Sequence, residues 1–131
     1  MRCEKAEKKT MNAWCHGAPG ILFARMMAAD AGILDNTEWG MRKAVEAVFY
    51  QNPENHGCIC HGFAGNLLVM RAYLKAYPDQ ALRNRYEAFA CQFCKTLVNA
   101  DNFSADEYWN PSFMTGITGI GAALIYVFWE K

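Results

Sequence analysis

The chain has 131 residues, 53% hydrophobic and 20% charged, which suits one domain with a real core and excludes a disordered tail or a low-complexity linker. Its 13 Lys and Arg balance 13 Asp and Glu, so it has no net charge. The basic footprint that nucleic-acid binding requires is absent, and Lys8-Lys9 is too short a run to supply one.

Residues 1–11 read as a polar N-terminal segment of mixed charge, ahead of a folded part over 12–131. No apolar run follows Met1 to Thr10, so no export signal is expected and the chain is placed in the cytoplasm. In that reducing compartment the 6 cysteines point to metal ligation or catalysis before disulfides. Ile21 to Ala31 is apolar apart from Arg25 and Asp30, which predicts a helix that Gly32 stops. Glu38 to Tyr50 spaces Trp39, Ala44, Val45, Val48 and Phe49 as an amphipathic helix. Asn66 to Tyr77 is strongly apolar and ends at Pro78. Asp79 then caps a long helix with Leu82, Tyr86, Phe89, Ala90, Phe93 and Leu97 on one stripe. A polar loop over Asn99 to Ser112 leads to a last helix, Ile117 to Glu130. Its uncharged run, Ile117 to Trp129, falls short of the roughly 20 residues that cross a bilayer, so no membrane span is expected. Strand-like alternation is nowhere sustained, and the fold class is all-α.

Three segments align without gaps: Cys15-His16-Gly17-Ala18-Pro19-Gly20, Cys60-His61-Gly62-Phe63-Ala64-Gly65 and Met114-Thr115-Gly116-Ile117-Thr118-Gly119. Each reads Gly-x-x-Gly and runs into an apolar helix, with the first glycines 45 and then 54 positions apart. That period fits a repeated unit of two helices with connections, the motif helices forming an inner layer behind the amphipathic ones. A plainer reading is that small residues simply permit close helix packing.

If the repeats pack side by side, their loops gather at one end and bring together Cys15, Cys60 and His61. Two thiolates and an imidazole suit zinc, and three strong ligands leave a fourth position for water or substrate, as in catalytic zinc sites. The alternative is two unligated thiols and a histidine satisfied within the core.

Trp14-Cys15-His16-Gly17-Ala18-Pro19-Gly20-Ile21, Cys60-His61-Gly62-Phe63-Ala64-Gly65-Asn66 and Phe113-Met114-Thr115-Gly116-Ile117-Thr118-Gly119-Ile120-Gly121 resemble the successive motifs of lanthionine synthetase C-like (LanC-like) proteins. These include the cyclase domain of LanM-type class II lanthipeptide synthetases. The resemblance covers about residues 12–131 and makes this stretch similar to the C-terminal part of such a domain. It implies a partial α/α toroid, about half of a double-layer helical barrel, with Zn2+ held by Cys15, Cys60 and His61. It also implies a substrate, a precursor peptide with dehydrated Ser or Thr and an unmodified Cys. The metal would hold that thiol as thiolate for addition to dehydroalanine or dehydrobutyrine, forming the thioether of a lantibiotic. A whole family domain has about twice as many repeats, and the family's acid/base histidine and aspartate lie upstream of the first motif here. His16, beside the first ligand, is then the candidate catalytic group, as proton donor or support to the metal. Self-association or membership of a larger synthetase is the matching expectation for partners. The rival readings are a non-catalytic zinc-binding fragment, or a peptide-docking or scaffold module that is inactive without further repeats.

Smaller signals read as structural. Cys91 and Cys94 have a Cys-x-x-Cys spacing but fall inside a helix, where Cys94 acts as a small apolar residue. Cys58 reads as a bystander to Cys60, Cys3 as an exposed thiol and His56 as solvated. Trp109 and Phe113 are expected to pack the long loop over the cavity mouth.

Overall fold

A computed structural model describes residues 11–33, 38–51, 56–99 and 109–129; Cys3 lies outside them. Five helices account for the fold: α1 (Ala18–Asp30), α2 (Glu38–Tyr50), α3 (Phe63–Ala76), α4 (Gln80–Val98) and α5 (Ile117–Phe128). No strand occurs among the described residues, so the chain is all-α. Helix α3 is the hub, packing against each of the other four, whereas α5 packs mainly on α3. The motif helices α1, α3 and α5 form a row with α3 in the middle, and α2 and α4 lie together against it.

The amphipathic stripes bury as their spacing requires. On α2 the core side chains are Met41, Ala44, Val45, Val48 and Phe49, and on α4 they are Tyr86, Phe89, Ala90 and Phe93. Phe63 opens α3 and stacks on Phe93 with ring centroids 5.5 Å apart, while Phe89 tilts against it at 5.3 Å. Each such aromatic pair adds about 0.5–1.5 kcal/mol beyond the area it buries. Among the motif helices only α3 is buried along most of its length, from Phe63 to Met70 with a break at Leu68. Helices α1 and α5 are equally apolar but stand at the ends of the row. Ile21 is 52% exposed and Ile125 63%. An inner layer covered all round is therefore realised at α3 alone.

The helix ends follow local chemistry. The Asp79 carboxylate accepts from Leu82 N at 2.9 Å, capping α4 at the residue the sequence indicates. Gly32, at φ 68°, closes α1, with Gly32 N donating to Ala29 O and Ile33 N to Ala28 O. The starts of α1 and α3 come three residues earlier than the hydrophobic pattern predicts, immediately after the first glycine of each motif. No side chain caps them. At α3 the preceding loop does so instead, with Phe63, Ala64 and Gly65 N–H groups donating to the carbonyls of His56, Gly57 and Cys58.

This fold-back explains the Gly-x-x-Gly signature. In every repeat, a Cβ on the first or second glycine would collide with the carbonyl oxygen six residues earlier. Gly17 meets Met11 and Gly20 meets Trp14, Gly62 meets His56 and Gly65 meets Ile59, Gly116 meets Asn110 and Gly119 meets Phe113. The glycines are there because the loop runs directly beneath the first helical turn. The repeat is thus a chain-path requirement rather than a general preference for small residues.

Candidate metal centre

Backbone bonds gather the three motif loops. Cys15 N donates to Cys60 O at 3.0 Å, and Cys60 N donates to Met114 O at 2.8 Å. These three residues occupy the same position in their repeats, so one bond recurs from loop to loop. The first loop is also pinned from behind. Buried Asn66 of α3 donates its amide to Asn12 O at 3.0 Å, and the Asn12 amide donates to Ala47 O and Gln51 O at the end of α2. The Ala47 carbonyl also accepts from Gln51 N, and Gln51 lies just past the last turn of α2. Asn12 thereby locks the residues just ahead of Cys15 to α2 and α3 at once. The third loop is held by Asn110, whose carboxamide oxygen accepts from Ser112 N and whose nitrogen donates to the Thr115 hydroxyl.

The result is a cluster of three side chains of metal-ligand type. Cys15 Sγ, Cys60 Sγ and a His61 ring nitrogen all lie within 4.8 Å of one another. Cys15 is exposed and the other two are half-buried, so the group opens to solvent on one side. Ligand atoms of a tetrahedral zinc sit roughly 3.5–3.8 Å apart, given metal–sulfur and metal–nitrogen lengths of about 2.3 and 2.1 Å. The donor set and its near approach fit zinc with little side-chain movement. Burial, a side-chain hydrogen bond with Cys15, and the charges that Cys15 and Cys58 would carry all push the Cys60 thiol above its usual value. A raised Cys60 thiol favours its protonated form until a cation takes the proton's place.

The other candidate residues fall out as follows. His16 follows Cys15 in the same loop, is exposed, and stands outside the three-residue cluster. Cys58 is fully buried and also lies outside the cluster, which matches the reading of it as a bystander. Cys94 is half-buried on α4 beside exposed Cys91. Burial first, and then Cys91, raise its thiol, the opposite of what a reactive redox cysteine needs. Trp109 is 86% exposed and Phe113 54%, so the expected packing of these rings over the cavity does not occur. It is the carbonyl of Phe113 that meets the glycine motif, at Gly119.

His56 is the residue that sequence reasoning misplaces. It is half-buried rather than solvated, and its ring meets the His61 ring edge-on with centroids 4.7 Å apart. Its carbonyl also receives the first N–H of α3. The available signal was its place six residues before Gly62, where the fold-back path puts each loop under its own helix.

The chain matches the family of lanthionine synthetase C-like proteins over residues 2–130. It is similar to the lacticin 481/lactococcin biosynthesis protein LcnDR2 of Lactococcus lactis subsp. lactis, with 27% identity over 135 residues. The alignment takes in 92% of this chain and 15% of that relative, so the chain spans a small part of the relative's length. No solved structure matches. No helix among the described residues is long and apolar enough to cross a membrane. With Cys-His dipeptides at the first two of three equivalent loops and a family match spanning nearly every residue, the chain belongs to the lanthionine synthetase C-like family.

Proposed function

We propose that this chain is the zinc-binding part of a lanthionine-forming cyclase of the LanM type, working in the cytoplasm on a dehydrated precursor peptide. The observation that carries the reading is the convergence of Cys15, Cys60 and His61, drawn from two motif loops of a LanC-like chain. These three side chains would hold zinc, and their open side leaves room for a fourth ligand. Bound there, zinc supplies the Lewis acidity that keeps a peptide cysteine as thiolate at neutral pH, against its reference value of about 8.5. The thiolate sulfur forms a bond to the β-carbon of a dehydroalanine or dehydrobutyrine. The π electrons shift toward the neighbouring carbonyl, and the resulting enolate takes a proton at its α-carbon. The sum is addition of S–H across a C=C bond, with no oxidant or reductant.

The chain's own residues have separable tasks in this scheme. His16 is exposed beside Cys15 and is placed to supply or relay the final proton. His56 holds the ring of His61 by its edge contact and so orients a ligand. The Asn12–Asn66 linkage fixes the loop that bears Cys15. The double-layered toroid that the resemblance implies would be completed by repeats outside this chain. The chain's small share of the relative's length favours that wider assembly. The second reading, a zinc-bearing module that docks the peptide thiol without turning it over alone, rests on the same observation.

Cobalt substitution separates these readings from a metal-free scaffold. A chain loaded with Co2+ is expected to show thiolate-to-cobalt absorption that grows when a cysteine-containing peptide is added. No change on peptide addition would defeat thiol binding. With a dehydrated precursor, consumption of peptide thiol by the isolated chain is expected to be slow, because the family's main acid/base residues lie upstream; rapid ring closure would contradict this. The raised Cys60 thiol fixes the sign of the pH dependence. Protons must leave for the metal to bind, so zinc affinity rises with pH, and about two protons are released per ion near neutrality. Calorimetry in buffers of different ionisation enthalpy reads that number directly, and release of none would contradict the thiolate ligands.

A further inference from the structure

Of the three equivalent residues along the row of motif loops, Cys15, Cys60 and Met114, the first two are thiols held in register. Cys15 N donates to Cys60 O at 3.0 Å. Paired residues joined by a bond of this kind stand about 5.5 Å apart at Cα, close to the commonest separation across a disulfide. The side chains also approach each other. Their sulfurs lie within 4.8 Å, and the two thiols share a side-chain hydrogen bond. A turn about the Cα–Cβ bonds brings the sulfurs into bonding range and leaves the backbone row unbroken.

The neighbouring residues make this pairing specific. Met114 continues the row with a thioether, which forms no disulfide. Cys58 is fully buried and outside the cluster, so an oxidant in solution does not reach it. Cys91 and Cys94 belong to α4, a different element. Exposure within the pair is graded, with Cys15 open to solvent and Cys60 half-buried beside it. One thiol meets the oxidant and the second waits to resolve the product, which is how redox-sensing pairs are arranged.

We propose that Cys15 and Cys60 form a reversible disulfide between the first and second motif loops, a redox switch on the same side chains that would ligate the metal. The co-reactant is a low-molecular-weight disulfide such as oxidised glutathione. The Cys15 sulfur gives its proton to solvent and attacks one sulfur of the reagent, whose other half departs as a thiolate and takes up a proton. The Cys60 sulfur then loses its proton and attacks Cys15 Sγ, expelling the second half in the same way. The chain gives up two electrons and two protons, and the reagent is reduced to two thiols. Neither sulfur of the oxidised chain is the thiolate that zinc requires, so oxidation and metal binding exclude each other. In a reducing compartment such a bond is transient and follows the redox poise. The bond rests on the position of the thiols alone, and only its consequence for the metal rests on the proposed function.

The test treats the full chain, stripped of metal by a chelator, with excess oxidised glutathione and counts thiols after denaturation. Two of the 6 thiols are expected to disappear with no glutathione left on the chain, and dithiothreitol to restore them. Trypsin separates the candidates, since Cys15 falls in fragment 10–25, Cys58 and Cys60 in 44–71, and Cys91 and Cys94 together in 86–95. Mass spectrometry is expected to find 10–25 joined to 44–71. The join is expected to vanish in Cys60→Ser while circular dichroism shows intact helices. No loss of thiol, or glutathione left standing on Cys15 of the unaltered chain, would overturn the proposal. A join that persists in Cys60→Ser would do the same, because it places the partner at Cys58. Saturating zinc is expected to slow the oxidation about tenfold or more, because only the metal-free fraction reacts. Equal rates with and without zinc, the join still forming, would tell against metal ligation while supporting the disulfide, so the two readings fail separately.

Discussion

Replacing Cys15 or His61 by alanine is expected to strip the chain of metal while leaving its helices intact. The protein as purified should carry about one zinc, and each variant less than about a tenth of that. The reason is that a three-ligand site has no redundancy. Losing one donor leaves two protein ligands, and even the loss of groups that merely support a ligand costs 10–100-fold in affinity. Neither side chain carries the fold. Cys15 is exposed, and His61 is half-buried at a helix start where the structural bonds come from backbone groups rather than its ring. Cys91→Ala is the matched control, since Cys91 is exposed on α4 and outside the cluster. Atomic absorption together with circular dichroism checks the series. Full zinc in both Cys15→Ala and His61→Ala would end the ligand assignment, whereas loss in Cys91→Ala would show that metal content follows fold integrity instead.

Much of the architecture is legible in the sequence because it rests on short-range rules. The long α4 begins where Asp79 places a carboxylate, and its stripe of Tyr86, Phe89, Ala90 and Phe93 buries as the spacing demands. The same holds for α2 and for the Gly32 stop. What periodicity misses is where the motif helices begin. A hydrophobic pattern marks the first side chain that packs, but α3 starts at Phe63 because three loop carbonyls accept its first N–H groups. Backbone acceptors leave no trace in side-chain identity, apart from the glycines that let them approach.

The convergence of Cys15, Cys60 and His61 was legible for a different reason. Cys15 and Cys60 are 45 positions apart, and only the repeat supplies a ground for bringing them together. The structure states that ground physically, as one backbone bond repeated between equivalent loops. His56 was not legible in the same way, because it belongs to no dipeptide shared between repeats; its counterparts are Met11 and Asn110. Its role follows from path alone, which lays the residue six before each first glycine under the helix it precedes.

That path makes the glycines the most sensitive positions in the fold. Gly65→Ala is expected to destabilise the chain by about 3 kcal/mol, lowering the unfolding midpoint by roughly 10 °C. The new Cβ would strike the Ile59 carbonyl, which belongs to a loop already fixed by bonds to α3 and to its two neighbours. A flexible side chain yields to such a contact, but a backbone pinned at both ends moves only by breaking those bonds. Gly119→Ala is expected to fall in the same range, because its Cβ meets both the Phe113 carbonyl and the Ile59 side chain. Gly121 supplies the contrast. It sits in the same helix with no atom within 4 Å of an added Cβ, so Gly121→Ala keeps the fold and gains up to about 1 kcal/mol from better helix propensity. Thermal unfolding of the three variants decides the matter. If Gly65→Ala and Gly119→Ala melt with Gly121→Ala, the glycines serve general packing and the fold-back path has no special claim on them. If they also lose zinc in parallel with their stability, the loops that bear Cys15, Cys60 and His61 owe their position to the carbonyls those glycines admit.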